Sequence, residues 1–149
     1  AAPEQAAALY ETFLGEGHYY IDGAEDLLKA LYGRYQLYLA SNGTMSVQQS
    51  RLASAGIAGL FDGIFLSEVI GADKPSKEFF AACFSQIPDF RKEETVIVGD
   101  SLTSDIQGGK NAGIGTVWYQ PYPETQAEEI HPDAVIRKLS DLPELLRTL

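Results

Sequence analysis

The chain has 149 residues, 45% hydrophobic and 21% charged, which suits one globular domain with a substantial core and is too short for two full ones. Its 21 acidic and 11 basic residues leave a formal charge of −10. That balance argues against nucleic acid as a partner, because backbone phosphates call for clustered Lys and Arg, and no stretch approaches the roughly 20 apolar residues of a membrane span.

Taken in chain order, helical patterns alternate with short apolar runs, which predicts an α/β fold: a Rossmann-like parallel sheet with helices on both faces. "PEQAAALYETFLGEG" reads as a helix, with Pro3 near its start and glycines after its end. "DGAEDLLKALYGRY" predicts a second, with Asp22 as N-cap and Gly33 as stop. A strand follows from Gln36 to Ala40 and ends in the polar turn "SNG". "TMSVQQSRLASAGIAGLF" is helical to about Ala55, where Gly56 suits a C-terminal cap. A short strand is expected around Ile64 to Leu66, then a helix in "PSKEFFAACFSQI" with Pro75 in its first turn.

That helix carries the single cysteine, Cys83, which excludes an internal disulfide and a cysteine-rich zinc site. Its apolar setting predicts buried packing rather than reactivity. "ETVIVGD" has the continuous Val and Ile character of a buried parallel strand. "LTSDIQGGKNAG" predicts a short helix closed by Gly113, "GTVWYQ" a strand, "AVIRKL" a weaker strand and "LPELLRTL" a final helix. No repeat or low-complexity segment interrupts the pattern. The chain opens with no basic-then-apolar signal peptide, so a cytoplasmic location is the default.

The polar residues of interest fall at strand ends, and open parallel sheets bind ligands outside the carboxyl ends of their strands. Ser41 is a hydroxyl at such an end, followed by the backbone amides of Asn42 and Gly43. These donors suit a phosphoryl oxygen, although Ser and Asn also serve simply as caps and turn residues. Lys74 precedes a proline that opens a helix, where an ammonium would neutralise charge on a transferring phosphoryl group. The plainer reading is a solvated surface lysine. Asp100 and Asp105 lie five residues apart, one at a strand end and one in the first turn of a helix. Hard oxygen ligands in that arrangement suit Mg²⁺ with water and phosphate completing its shell. Otherwise Asp105 is a first-turn charge favoured by the helix dipole.

The order of these groups, with "SEVIGADKPSKEFF" followed by "VIVGDSLTSDIQGGKNAGIGTVWY", resembles motifs two, three and four of the haloacid dehalogenase-like (HAD) phosphohydrolases. The likeness runs from about Tyr20 to the C-terminus, and is greatest to the branch of pyrimidine nucleotidases and related small phosphatases. It implies an Mg²⁺-dependent phosphohydrolase acting on a small organic phosphate, in which an aspartate attacks phosphorus and the aspartyl-phosphate is then hydrolysed. On that resemblance Ser41 and Lys74 are catalytic, and Ser41, Asn42, Gly43 and Lys74 bind phosphate. Asp100 ligates Mg²⁺, with Asp105 holding the metal directly or through water.

The family's first motif, Asp-x-Asp, is missing, since no two aspartates in the chain are separated by one residue. Asp22 in "YYIDGAEDLL" lacks the second aspartate. The resemblance therefore implies residues 1–20 as a remnant of a helical cap and 21–149 as a core lacking its first strand, in the C-terminal part of a longer enzyme, without a nucleophile and inactive alone. A missing central strand would leave two unpaired edges. Strand exchange in a homodimer, a rearranged sheet or a retained N-terminal piece would fill the gap. The alternative is a catalytically dead module that binds phosphate and Mg²⁺. A receiver domain shares these residue types, but its acidic pair precedes the hydroxyl and its lysine comes last.

The other notable residues carry plainer readings. Trp118 and Tyr119 suit packing, and His18 and His131 lack metal-site spacing. Tyr19 and Tyr20 suit either the core or the mouth of the site.

Overall fold

Along Gln36–Ser41 the side chains alternate between two cores. Leu37 and Leu39 enter one and Tyr38 and Ala40 the other, as the twofold period of a strand requires. The computed structural model describes residues 7–10, 24–41, 61–120 and 130–148. Among them, β1 (Ala7–Tyr10), β2 (Gln36–Ser41), β3 (Gly63–Leu66), β4 (Thr95–Gly99), β5 (Gly115–Tyr119) and β6 (Ala134–Ile136) form one sheet in the order β3-β2-β1-β4-β5-β6. Every pairing in it is parallel.

Helices cover both faces, as expected. On one, α1 (Ala24–Leu31) and α5 (Leu142–Thr148) bring Leu27, Leu28, Leu31 and Leu142 onto Leu37, Leu39, Val98, Val117 and Ile136. On the other, α3 (Lys77–Ser85) and α4 (Gln107–Ala112) place Phe79, Phe80, Cys83 and Ala112 with Tyr38, Ala40, Phe65 and Ile97. Cys83 is fully buried and free, in keeping with the packing role predicted for it. A one-turn helix, α2 (Ser67–Ile70), follows β3. No helix among the described residues is long and apolar enough to cross a membrane.

The N-terminal segment corrects the sequence reading. Ala7–Tyr10 lies within the stretch read as a helix and assigned to a cap remnant, yet it is a strand. It occupies the central position that the sequence left vacant, with Ala7 opposite both Gln36 and Thr95, and Tyr10 opposite Leu39 and Val98. The physical reason is competition. Alanine's helix preference amounts to a few tenths of a kcal/mol per residue. An empty slot between β2 and β4 would instead orphan backbone donors and acceptors along two strands. A short apolar run of the same chain satisfies both edges, so a strand from a second molecule is not needed there.

Smaller differences concern helix starts. α3 begins at Lys77 rather than Pro75, because the Ser76 hydroxyl accepts from the Phe79 N–H at 3.2 Å and caps it. The run after Asp100 is not an α-helical turn. Leu102–Ile106 is a wider π-type turn, with the Ser101 carbonyl accepting from Asp105 N at 3.0 Å and Ile106 N at 3.1 Å. The helix predicted after the Ser41 turn lies outside the described residues.

Candidate active site

The carboxyl ends of β2 and β4 flank that of β1, and two chemically active loops meet there. Lys74 lies between α2 and α3 and is 4% exposed, so it is not the solvated surface lysine that its residue type alone suggests. A buried ammonium needs partners. Its Nζ donates to Asp105 Oδ1 at 2.6 Å and to the Ala40 carbonyl at 3.1 Å. One side chain thus ties the end of β2 to the segment after β4.

Asp105 is fully buried, and its second oxygen accepts from the Ser101 N–H at 3.3 Å. The π-type turn brings this carboxylate back over the end of β4, and Gly99 makes the approach possible. A Cβ at position 99 would overlap Asp105 Oδ2, an approach that no side chain allows. The glycine of "VGDS" is therefore required by a carboxylate six residues on.

Asp100 is unlike Asp105 in every respect but charge. It directly follows β4 and its side chain is exposed. Partial desolvation raises its carboxyl above the usual range, with backbone hydrogen bonding and the Lys74 charge pulling the other way. Its carboxyl is thus partly desolvated, exposed on one side and within the field of the Lys74 ammonium. Its carbonyl oxygen accepts from Trp118 Nε1 at 3.0 Å.

Among the described residues no three His, Cys, Asp or Glu side chains gather into a metal cage. A site with one open carboxylate fits Mg²⁺, which keeps several waters and takes one or two carboxylates.

The structure thus brings together Lys74, Asp100 and Asp105 from the set of residues singled out in the sequence. Ser41 ends β2, and its backbone lies one residue beyond the carbonyl that Lys74 grips. Asn42 and Gly43 lie outside the described residues. Sequence reasoning missed Trp118 as anything but packing, and missed the Gly99 contact and the Ala40 carbonyl. Strand register carries the first of these, since Gly99 pairs with Trp118 across β4 and β5.

Comparison with known proteins gives a consistent result. A model of the haloacid dehalogenase-like hydrolases matches residues 3–113. The pyrimidine 5'-nucleotidase PynA of Streptococcus pneumoniae is 40% identical over 137 residues, covering 91% of this chain and 58% of that protein. The pyrimidine 5'-nucleotidase YjjG of Escherichia coli is 35% identical over 126 residues, covering 85% of the chain and 56% of that protein. A magnesium-bound crystal structure of YfnB from Bacillus subtilis superposes with a TM-score of 0.85 at 45% identity, covering 88% of this chain and 57% of that one. The chain spans a little over half the length of these relatives.

Proposed function

Given that this chain belongs to the haloacid dehalogenase-like hydrolases, we propose that it is the greater part of an Mg²⁺-dependent phosphohydrolase core for a small organic phosphate, of the phosphomonoester or nucleotide class. The observation that carries this reading is the buried Lys74, tied at once to Asp105 and to the end of β2. A structural lysine has little reason to be desolvated at the mouth of a parallel sheet. One that must meet a phosphoryl group has.

In this reading Asp100 holds Mg²⁺, which when bound supplies charge neutralisation at the phosphoryl oxygens. Lys74 presents a fixed positive charge to the same group. The Ser41 hydroxyl and the amides of Asn42 and Gly43 bind its remaining oxygens. Asp105, with both oxygens already engaged, acts at one remove by orienting Lys74 and the Ser101 amide. An aspartyl-phosphate route needs a nucleophile, and no Asp-x-Asp occurs in the 149 residues. The chain by itself is therefore expected to bind phosphate and Mg²⁺ weakly without turnover. The same absence favours the second reading, a binding module that retains the site and not the chemistry.

Two assays test the proposal. Isothermal calorimetry of the 149-residue chain should show Mg²⁺ binding that Asp100→Asn weakens by at least about tenfold, the lower end of what lost outer-shell partners of metal sites already cost. A p-nitrophenyl phosphate and nucleoside monophosphate panel should give no turnover with the chain alone. In an enzyme form that includes an Asp-x-Asp segment, turnover should appear and Asp100→Asn should remove it. Mg²⁺ affinity unaffected by Asp100→Asn would sink the metal assignment, and continued inactivity of the longer form would favour the binding module.

A further inference from the structure

We infer that Trp118 is a positioning residue for the cation site: its indole N–H and the Asp105 carboxylate clamp the Asp100–Ser101 peptide unit from opposite sides and so fix the direction of the Asp100 side chain. The inference rests on the Mg²⁺ reading above and adds a residue and a coupling to it.

The clamp follows from two hydrogen bonds to one rigid plane. A peptide unit comprises the carbonyl of one residue and the N–H of the next, held coplanar by resonance. The Asp100 carbonyl accepts from Trp118 Nε1 at 3.0 Å, and the Ser101 N–H donates to Asp105 Oδ2 at 3.3 Å. Both outward groups of the unit are thus engaged by side chains just where β4 has ended and the ladder no longer holds them. The two holders are themselves fixed. Trp118 is 5% exposed in β5, in register with Gly99, and Asp105 is fully buried against Lys74.

With its flanking peptide pinned, the Cα–Cβ bond of Asp100 has a set direction, and only its side-chain torsions remain to be fixed when a cation binds. An indole is suited to this task because it donates one hydrogen bond and accepts none. It can hold the carbonyl without offering the cation a competing ligand. The arrangement also makes the protein report on itself. Trp118 is the single tryptophan of the chain, so its emission should respond when a cation draws on Asp100.

The test uses the 149-residue chain and Mg²⁺ alone. Trp118→Phe keeps an aromatic ring and removes the N–H. It should raise the calorimetric Kd for Mg²⁺ about fivefold, the factor that corresponds to one net hydrogen bond. In the unaltered chain, tryptophan emission should shift with Mg²⁺ at the same midpoint as the calorimetric signal, and Asp100→Asn should abolish the shift. A tryptophan that only packs would lower the urea midpoint when replaced and leave the Kd alone. A folded Trp118→Phe with the unaltered chain's Kd therefore overturns the inference. If that variant does not fold, emission that stays constant while calorimetry shows saturation overturns it instead. No calorimetric binding by the unaltered chain would sink the cation site itself. Binding with an unchanged Kd would sink the role of Trp118 alone.

Discussion

The two faces of the sheet are built from different residues and stand in different relation to the site. One is mainly aliphatic: Leu27, Leu28 and Leu31 of α1 meet Leu37, Leu39, Val98 and Val117, with Tyr35 beside them. The other is aromatic, with Tyr38 stacked on Phe65, Phe79 edge-on to Phe80, and Phe84 stacked on Phe90. Lys74 belongs to the aromatic side, because Pro75 beside it and Phe80 both close around Gly108 of α4. Branched aliphatic chains fill space and tolerate adjustment among themselves. Flat rings against glycines leave no slack, so a displacement there is passed on to the loop that carries the lysine. The difference teaches that equal losses of stability on the two faces should have unequal functional cost.

The largest expected effect belongs to the pair that crosses between strand ends. Asp105→Ala leaves the Lys74 ammonium buried with the Ala40 carbonyl as the partner left to it from these two contacts. Breaking a buried pair by removing one member typically costs about 3–5 kcal/mol. Urea unfolding should show a loss of that order. Replacing both partners, with Lys74→Met and Asp105→Leu together, should restore most of the stability, whereas inorganic phosphate binding should be lost with the ammonium. If the double variant is as unstable as the single one, the pair is not an isolated electrostatic unit and the description of its partners is incomplete.

How much of this was legible beforehand depends on the range of the interaction concerned. β4 could be read because "TVIV" is locally apolar and β-branched, and its burial on both faces follows from composition. Lys74, Asp100 and Asp105 could be singled out by residue type and order along the chain, and the structure shows that they lie near one another. Ala7–Tyr10 could not, since its local alanine content pointed to a helix and only the shape of the slot between β2 and β4 selects the strand. Trp118 escaped for a related reason. Its partner is a backbone carbonyl 18 residues away, brought near by register, and register leaves no mark on composition. Asp105 reads from the sequence as a metal holder, with a helix-dipole charge as the plainer alternative, and neither reading includes its ion pair with Lys74, which depends on the π-type turn.

A matched pair of substitutions sharpens the comparison of the faces. Leu28 is fully buried on the aliphatic side, and Leu28→Ala should cost about 2–5 kcal/mol. Inorganic phosphate affinity, measured well below the unfolding transition, should be unchanged. Gly108→Ala places a Cβ 2.5 Å from Phe80 and 3.2 Å from the Pro75 backbone. Such overpacking costs about 1–3 kcal/mol, less than the leucine truncation. Its effect on phosphate binding should nevertheless be the greater, because the displaced proline adjoins Lys74. Equal phosphate affinities in the two variants would break the distinction between the faces.

The smallest effect is expected at Cys83, and it tests how dry the aromatic face is. Burial pushes this thiol up from 9.0 to about 12, against the opposing pull of the Lys74 charge and a backbone hydrogen bond. The thiolate is the reactive form, so iodoacetamide at pH 8 should leave the native chain unmodified and label it fully in urea, as read by intact mass. The sign of the stability effect follows from the same shift. A group whose pKa is raised on folding contributes stability that is complete below its unfolded value and is lost as pH rises through the folded one. Stability should therefore decline between about pH 9 and about pH 12, and Cys83→Ala should flatten that decline. Rapid labelling of the native chain would mean that water reaches the rings beside α3. The aromatic face would then not be the rigid support that holds Lys74 in place.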